Sequence, residues 1–459
     1  MTASRRHFVK MLSAGAMVAP LTSLYSRAAG AAPAFGAGFG PLAPTLPLNT
    51  ADIALPGYFD FRNQPLLALP EGFRYWAVSF TGQTMSDGTL VPGDHDGMAC
   101  FRGADGTTLL VRNHELNNRE SKFGNLRGVD VAEALKYDPY ANGGTTTLVL
   151  DAQGRLLRHY ASLGGTNNNC AGGLTPWGTW LTCEETTAIP LAVPTTYQKR
   201  HGYVFEVPAM GTGPVKAQPI VAMGRFSHEA TATDPRTGIV YQTEDTGDSL
   251  FYRYVPVQPG QLLAGGTLQA LRIKGSSTSV NTGLGFGDRV GQALPVEWVT
   301  IPNPDPVDNV FANSVRGQGQ ALGATRFVRG EGAWYGNGLI YFTCTSGGDI
   351  GAGQVWALDP AAQTLTLVVE STDRAVLEMP DNITVGPDGR LYVCEDGDGG
   401  NNIVGVNARG ELFRVAENRI NDSEFAGGCF SHNGRFMFVN LQTPGITLVI
   451  EGPWRKCQA

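Results

Sequence analysis

The sequence repeats one motif six times. A polar or acidic residue leads into a short run, then a turn containing glycine, then a β-rich run that ends in an acid or amide. The first copy opens at Asp96, turns at Asp105-Gly106 and leaves through Asn113-His114-Glu115. The second opens at Cys170, turns at Trp177-Gly178 and ends Cys183-Glu184-Glu185. The third runs from His228-Glu229 through Gly238 to Glu244-Asp245, and the fourth from Glu331 through Asn337-Gly338 to Cys344. The fifth runs from Asp381-Asn382 through Asp388-Gly389 to Glu395-Asp396; the sixth contains Cys429, turns at Asn433-Gly434 and ends at Asn440. Asn-Gly and Asp-Gly between apolar runs are strong hairpin signals. The pivot glycines 106, 178, 238, 338, 389 and 434 lie 45–72 residues apart, with one gap of 100. A blade of four strands takes about 40–50 residues. The pattern predicts an all-β fold, a six-bladed β-propeller with insertions; a β-sandwich with coincidental turns is the competing reading. Composition agrees. Glycine supplies 60 of 459 residues, nearly twice the usual level of about 7%. Charged residues are only 16%, too few for a coiled coil or a disordered chain.

In a hairpin, the start of the first strand and the end of the second share one end. If these hairpins are the inner strands of blades, Cys170, Glu184, Glu185, Glu229, Glu244, Asp245, Glu331, Asp381, Glu395 and Asp396 gather at one mouth of the channel. That many carboxylates repel one another unless cations neutralise them. Hard oxygen donors suit calcium, and a thiolate among them suits a softer transition metal. Cys170 lies in a polar loop, Asn167 to Gly173, whereas Cys183, Cys344 and Cys394 sit in strand-like runs that suit a buried inert thiol. Seven cysteines leave at least one unpaired. Glu184 and Glu185 face opposite sides of a strand, so only one can reach the mouth. Residues 33–70 suit an outer wrap, and about 275–325 reads as an insertion or lid on a single domain spanning 32–459.

The first residues carry an address. Ser4-Arg5-Arg6-His7-Phe8-Val9-Lys10, a short apolar stretch and small residues near Ala31 read as a twin-arginine signal peptide over 1–31. The translocation machinery is thus an expected partner, and the expected location is periplasmic or secreted. That route exports folded protein, which hints at a cofactor loaded beforehand. Cleavage removes four basic residues and no acid, leaving 30 Lys and Arg against 41 Asp and Glu, a net charge of −11. This argues against nucleic-acid binding, which needs a basic stripe. No other segment approaches the length of a membrane span, so neither an anchor nor nucleic acid is expected. A monomer is expected.

Several segments resemble the PhoX-type alkaline phosphatases. They are Asn169-Cys170-Ala171-Gly172-Gly173 through Trp180 to Glu184-Glu185, Gly224-Arg225-Phe226-Ser227-His228-Glu229, Tyr241 to Asp245, Arg329-Gly330-Glu331-Gly332, Asp381-Asn382-Ile383, and Asn113-His114-Glu115. The resemblance spans most of 95–450 and implies a propeller phosphatase acting on phosphate esters with a mixed cluster of Fe3+ and Ca2+. It implies Cys170 as the thiolate ligand to iron and Glu185, Glu229 and Glu331 as carboxylate ligands. Glu395, Asp396, Asp381 and Asn382 are the further ligand candidates. Arg329 would grip the substrate phosphate, as its planar fork suits an oxyanion. Asn113, Glu115, His228 and Glu244 are expected beside the site. A calcium-dependent propeller lactonase or esterase, needing one hard cation and no thiolate, and a propeller that only binds remain the other readings.

Overall fold

The computed structural model describes residues 38–117, 128–190, 197–276, 278–407 and 410–456. The signal-peptide reading therefore lies outside the described residues. The fold is all-β and propeller-like, with short 3-10 turns and one helix, Val315–Ala321. Each sequence repeat forms the antiparallel hairpin its turn signal predicts. The pairs are β1 (His95–Arg102) with β2 (Thr108–His114), and β3 (Asn169–Leu174) with β4 (Thr179–Glu184). Next come β5 (His228–Thr233) with β6 (Val240–Glu244), and β7 (Gly330–Gly336) with β8 (Leu339–Cys344). The last are β9 (Pro380–Val385) with β10 (Leu391–Glu395), and β11 (Phe425–Phe430) with β12 (Phe436–Leu441).

The leading strands close a ring: β1 neighbours β3, then β5, β7, β9 and β11 follow, and β11 returns to β1. Outer strands add to each hairpin. Gly143–Leu150 and Leu156–Thr166 follow β2, and Ile446–Glu451 follows β12. The chain's early strand Arg74–Phe80 pairs with Ile446–Glu451, so the sheet of the last repeat is completed from the N-terminal side. Leu42–Thr45 and Leu67–Pro70 extend the outer edge of the β9–β10 sheet, where residues 33–70 were expected to wrap. Hydrogen bonding does not keep six sheets apart, however. Ala293–Thr300, inside the expected insertion, pairs with both Gly266–Ile273 and Thr364–Glu370. It thereby fuses the sheets of β5–β6 and β7–β8 into one of nine strands.

All six hairpins share a local fault. The first residue of each pairs in register (the first two in the sixth), two residues then go unpaired, and pairing resumes. A bulge of this kind bends the strand and re-aims a side chain. The first unpaired residues are Asp96, Cys170, Glu229, Glu331, Asp381 and Gly427. Four of the residues just before the leading strands, Asp94, Asn168, Arg329 and Met379, hold left-handed backbone at φ 44–54°, a conformation that costs about 1 kcal/mol or more outside glycine. In five of the six hairpins the second unpaired residue is glycine or alanine, because neighbouring strands nearly touch there; the exception is Asn382. A Cβ on Gly97 would lie 2.5 Å from the Ala171 Cα, and one on Gly332 would lie 2.6 Å from the Asp381 carbonyl oxygen. Beneath this ring is a cavity of about 20 Å³, enough for one water, floored by Trp334. Trp334 also packs against three separate core clusters.

Candidate metal centre

The bulges put five of the six aligned positions on one patch. Donor atoms of Cys170, Glu185 and Glu229 lie within 4.8 Å of one another, as do those of Glu229, Glu331 and Asp381. Glu229 is common to both groups. A second lobe joins Asp96, Glu115 and Glu424, again within 4.8 Å. Asn168 links the lobes, its Nδ2 donating to Glu115 (3.0 Å) and Glu185 (3.1 Å). Gln442 donates to Glu115 at 2.7 Å.

Asp96, Cys170, Glu229, Glu331 and Asp381 are buried, Glu115, Glu185 and Glu424 half-buried, and the acids are all of one sign. Glu229 is 3% exposed and Cys170 4%. Burial, then the charges of Glu331 and Asp381, pushes the Glu229 carboxyl well above its ordinary range. Burial and Asp245 do the same for Glu331, and burial with Glu115 for Asp96 and Glu185. Glu424 is raised by burial and by Asp396. Burial lifts Glu115 to about 7, and burial with Asp381 lifts Asp396 to about 7. The Cys170 thiol is raised by burial and by the Glu229 and Glu185 charges; its hydrogen can reach the carbonyls of His228 at 3.3 Å and Glu229 at 3.7 Å.

Among the described residues, Arg329 is the cation that pairs with these acids. Its Nε and Nη2 donate to the two oxygens of Asp245 at 2.9 and 3.0 Å, and Nη2 also donates to Glu331 at 2.9 Å. Burial opposes its charge, but Asp245 and Glu331 outweigh burial and raise its pKa. Nη1 makes no hydrogen bond among the described residues, and the side chain is 35% exposed, so one face of the fork is open. A single guanidinium does not balance this many carboxyl groups. Buried like charges of this density need cations or protons, and oxygen donors with one sulfur fit a mixed hard and softer metal set.

Of the paired acids, the second member faces the nest. Glu184 instead accepts from His201 Nδ1 at 2.7 Å and from the N–H groups of Asn167 and Gly202 at 2.9 Å. Two of the expected residues point their side chains off the nest. Glu395 is turned away, accepting from the Glu378 N–H at 2.8 Å and from Asn402 Nδ2 at 2.8 Å; Asp396 is the neighbour of Asp381 and Glu424. Glu244 likewise accepts from the Tyr252 hydroxyl at 2.7 Å, away from the nest. Asn382 is spent on stapling: Oδ1 accepts from the Gly427 N–H at 2.6 Å and Nδ2 donates to Asp381 at 3.0 Å.

His228 faces the Gly224 carbonyl (3.0 Å) and stacks on Phe226. Asn113 holds the thiol's backbone, donating to the carbonyls of Cys170 (2.9 Å) and Ala171 (2.7 Å). Sequence reasoning assigned no role to Asp96, although Asp96-Gly97 stands in register with Glu331-Gly332. It missed Glu424, which lies just before the leading strand of the sixth repeat.

A family model described as alkaline phosphatase PhoX matches residues 57–159 and 151–445. No curated protein sequence matches the chain significantly. Among solved structures, Pseudomonas fluorescens PhoX in complex with vanadate, a transition state analogue, superposes with a TM-score of 0.64 at 18% identity, over 91% of this chain and 98% of that one. Virginiamycin B lyase from Staphylococcus aureus reaches 0.41 at 11% identity (83% and 99% covered). A gluconolactonase from Xanthomonas campestris reaches 0.41 at 12% identity (91% and 100% covered).

Proposed function

The chain belongs to the alkaline phosphatase PhoX family, and from that premise we propose that it hydrolyses phosphate monoesters at the thiol-and-acid nest. It is a phosphoric ester hydrolase, so its substrates are phosphate esters; the monoester preference is the proposed part. So is the count of six blades. Counting the nine-stranded sheet as two blades fused by Ala293–Thr300 gives six hairpins around one ring. So too is export by the twin-arginine route to the periplasm or the medium, which rests on Ser4 to Lys10. No helix among the described residues is long and apolar enough to cross a membrane.

The observation that carries the reading is the junction of Arg329 with the nest. An open guanidinium face and a crowd of buried, uncompensated carboxyl groups meet at Glu331. An incoming phosphate dianion would be repelled by bare acids, so the residues present fit a cation-loaded site. Cys170, Glu185 and Glu229 would hold iron, Glu229, Glu331 and Asp381 would hold calcium, and Asp96, Glu115 and Glu424 would hold a further cation. Bound there, the cations supply Lewis-acid chemistry, offsetting charge on the phosphoryl oxygens as the ester bond breaks.

The chain's own residues do the rest. Arg329 donates Nη1 to a phosphate oxygen while Asp245 and Glu331 fix the plane of its fork. Asn168 and Gln442 hold the Glu115 carboxylate in place between the lobes. Asn113 fixes the Cys170 backbone.

Elemental analysis of the exported protein, paired with an aryl-phosphate assay before and after chelation, tests this. Iron and calcium with phosphate release that chelation abolishes are expected. Full turnover after the metals are stripped would end the proposal.

A further inference from the structure

Arg112 is a buried cation that the chemistry above does not use. It stands on β2, three residues before Glu115, is 0% exposed, and pairs with no carboxylate among the described residues. Burying a guanidinium is costly. Burial lowers its pKa to about 9, so it stays charged at neutral pH. A charged guanidinium has donors and no acceptor, so it fixes the direction of the bonds around it.

Three chains of hydrogen bonds leave this one group. Nη1 donates to His95 Nδ1 at 3.1 Å and to Thr447 Oγ1 at 2.6 Å, and Nη2 donates to Thr146 Oγ1 at 2.9 Å. Because His95 Nδ1 accepts, its Nε2 carries the hydrogen and donates to the Pro92 carbonyl at 3.1 Å. On the Thr146 arm, His114 Nδ1 faces the Gly93 carbonyl at 2.8 Å and must donate to it; His114 Nε2 therefore accepts from the Thr146 hydroxyl at 2.9 Å. On the Thr447 arm, the hydroxyl donates to Asn440 Oδ1 at 2.7 Å, and Asn440 Nδ2 donates to the Asp96 carbonyl at 2.6 Å.

The chains end on the carbonyls of Pro92, Gly93 and Asp96, which bracket the bulge that carries Asp96. Asp94, between them, holds left-handed backbone at φ 44°, and its carbonyl accepts from the Glu115 N–H at 2.9 Å. His95 and His114 pair across β1 and β2, so the network grips the residue before Asp96 and the residue before Glu115. Thr447 and Asn440 belong to the sheet of the sixth repeat, which supplies Glu424. All three acids of the second lobe thus meet on backbone that one guanidinium ties together.

We propose that Arg112 is a positioning residue for the Asp96, Glu115 and Glu424 lobe, acting through Thr146 and His114 on one arm and through Thr447 and Asn440 on the other. The inference rests on the reading of that lobe as a cation site. A neutral amide at position 112 could accept as well as donate, and the Thr146 and Thr447 hydroxyls could then turn back toward it. The donor-only fork forbids this and leaves the three carbonyls one arrangement. Partners that orient metal ligands from behind are worth about 10–100-fold in metal affinity.

The test equilibrates the purified, metal-loaded protein against graded free calcium and counts calcium and iron by elemental analysis. Glu424→Gln marks the calcium that the lobe holds. Thr146→Val and Thr447→Val keep the side-chain shape and cut one arm each; each is expected to weaken that calcium about tenfold with iron retained. Arg112→Lys keeps the charge without the fork and should weaken it at least as much. Ser162→Ala breaks the buried bond to Thr145 (2.7 Å) in the same sheet, and should lower the unfolding midpoint without moving calcium. Calcium affinity within twofold of wild type in both valine variants overturns the assignment. An equal loss of calcium in Ser162→Ala also overturns it, since stability alone would then explain the effect. If Glu424→Gln leaves the calcium count unchanged, the lobe reading itself has failed, and the positioning role falls with it.

Discussion

Replacing Asn113 with alanine should unseat the thiol without touching it. The side chain is fully buried and makes four bonds. Nδ2 donates to the Cys170 and Ala171 carbonyls at 2.9 and 2.7 Å, while Oδ1 accepts from Trp180 Nε1 at 2.8 Å and Thr182 Oγ1 at 2.9 Å. Thr182 keeps a partner in Asn169, so alanine strands two carbonyls and one indole N–H. A buried hydrogen bond contributes about 1 kcal/mol, and an abandoned partner costs about 1–3 kcal/mol. The expected loss is about 3–5 kcal/mol, a large share of the roughly 5–15 kcal/mol that holds most domains together. Asn113→Asp separates the two ends of the side chain. It keeps the two acceptor bonds, loses the two donor bonds and adds an acid beside the nest, so its deficit should be larger in chelator than with metals present. Urea unfolding of both variants, with calcium and with chelator, measures this. A loss below about 1 kcal/mol for Asn113→Ala under both conditions would refute the claim that this side chain fixes the Cys170 bulge.

Arg329→Lys keeps the positive charge but loses the fork. Metal content should be retained while inhibition by inorganic phosphate weakens about tenfold or more; unchanged inhibition would remove Arg329 from phosphate binding. His201 gives the pH prediction. Burial works against its charge, but Glu184 and Asp138 prevail and raise its pKa to about 9, above the ordinary 6.5 or so. Its stabilising contribution is therefore complete below about pH 6.5 and is lost as pH rises through about 9, on the order of 3 kcal/mol. His201→Asn should lower the unfolding midpoint strongly at pH 6 and little at pH 10; an equal drop at both would show the pair to be uncharged.

Turn chemistry made the hairpins legible, since Asp-Gly and Asn-Gly name their turns locally. The bulges were not legible, because a register shift belongs to two strands and leaves no local mark. That matters for the paired acids. Alternation said that one of Glu184 and Glu185, and one of Glu395 and Asp396, faces the mouth. Which one is decided where β3 and β9 pair with β4 and β10: the last paired residues are Glu184 and Glu395, so the next residue along is free to turn inward. The same rule selects Asp245 over Glu244. The fused sheet was hidden for a similar reason, since Ala293–Thr300 reads as one strand whether it has one neighbour or two.

The sixth repeat shows why the nest has two lobes. Its bulge position is Gly427, at φ 64°, and a Cβ there would lie 2.6 Å from the Asp96 carbonyl oxygen. The first repeat thus occupies the space a sixth ligand would need. The sixth repeat contributes Glu424 instead, from just before its leading strand, and this carboxylate meets Asp96 and Glu115. Asp96 and Glu424 are 328 residues apart in sequence, yet they share one pocket only because β11 returns to β1. A cation held by all three would join the first repeat to the last, where loop-closure entropy opposes the ring. The main lobe has no such dependence for Cys170, Glu185 and Glu229, which come from adjacent repeats. Stripping cations should therefore loosen the seam between the first and sixth hairpins before it disperses the thiol group, and hydrogen exchange at β1 and β11, set against β3 and β5, reads that order directly.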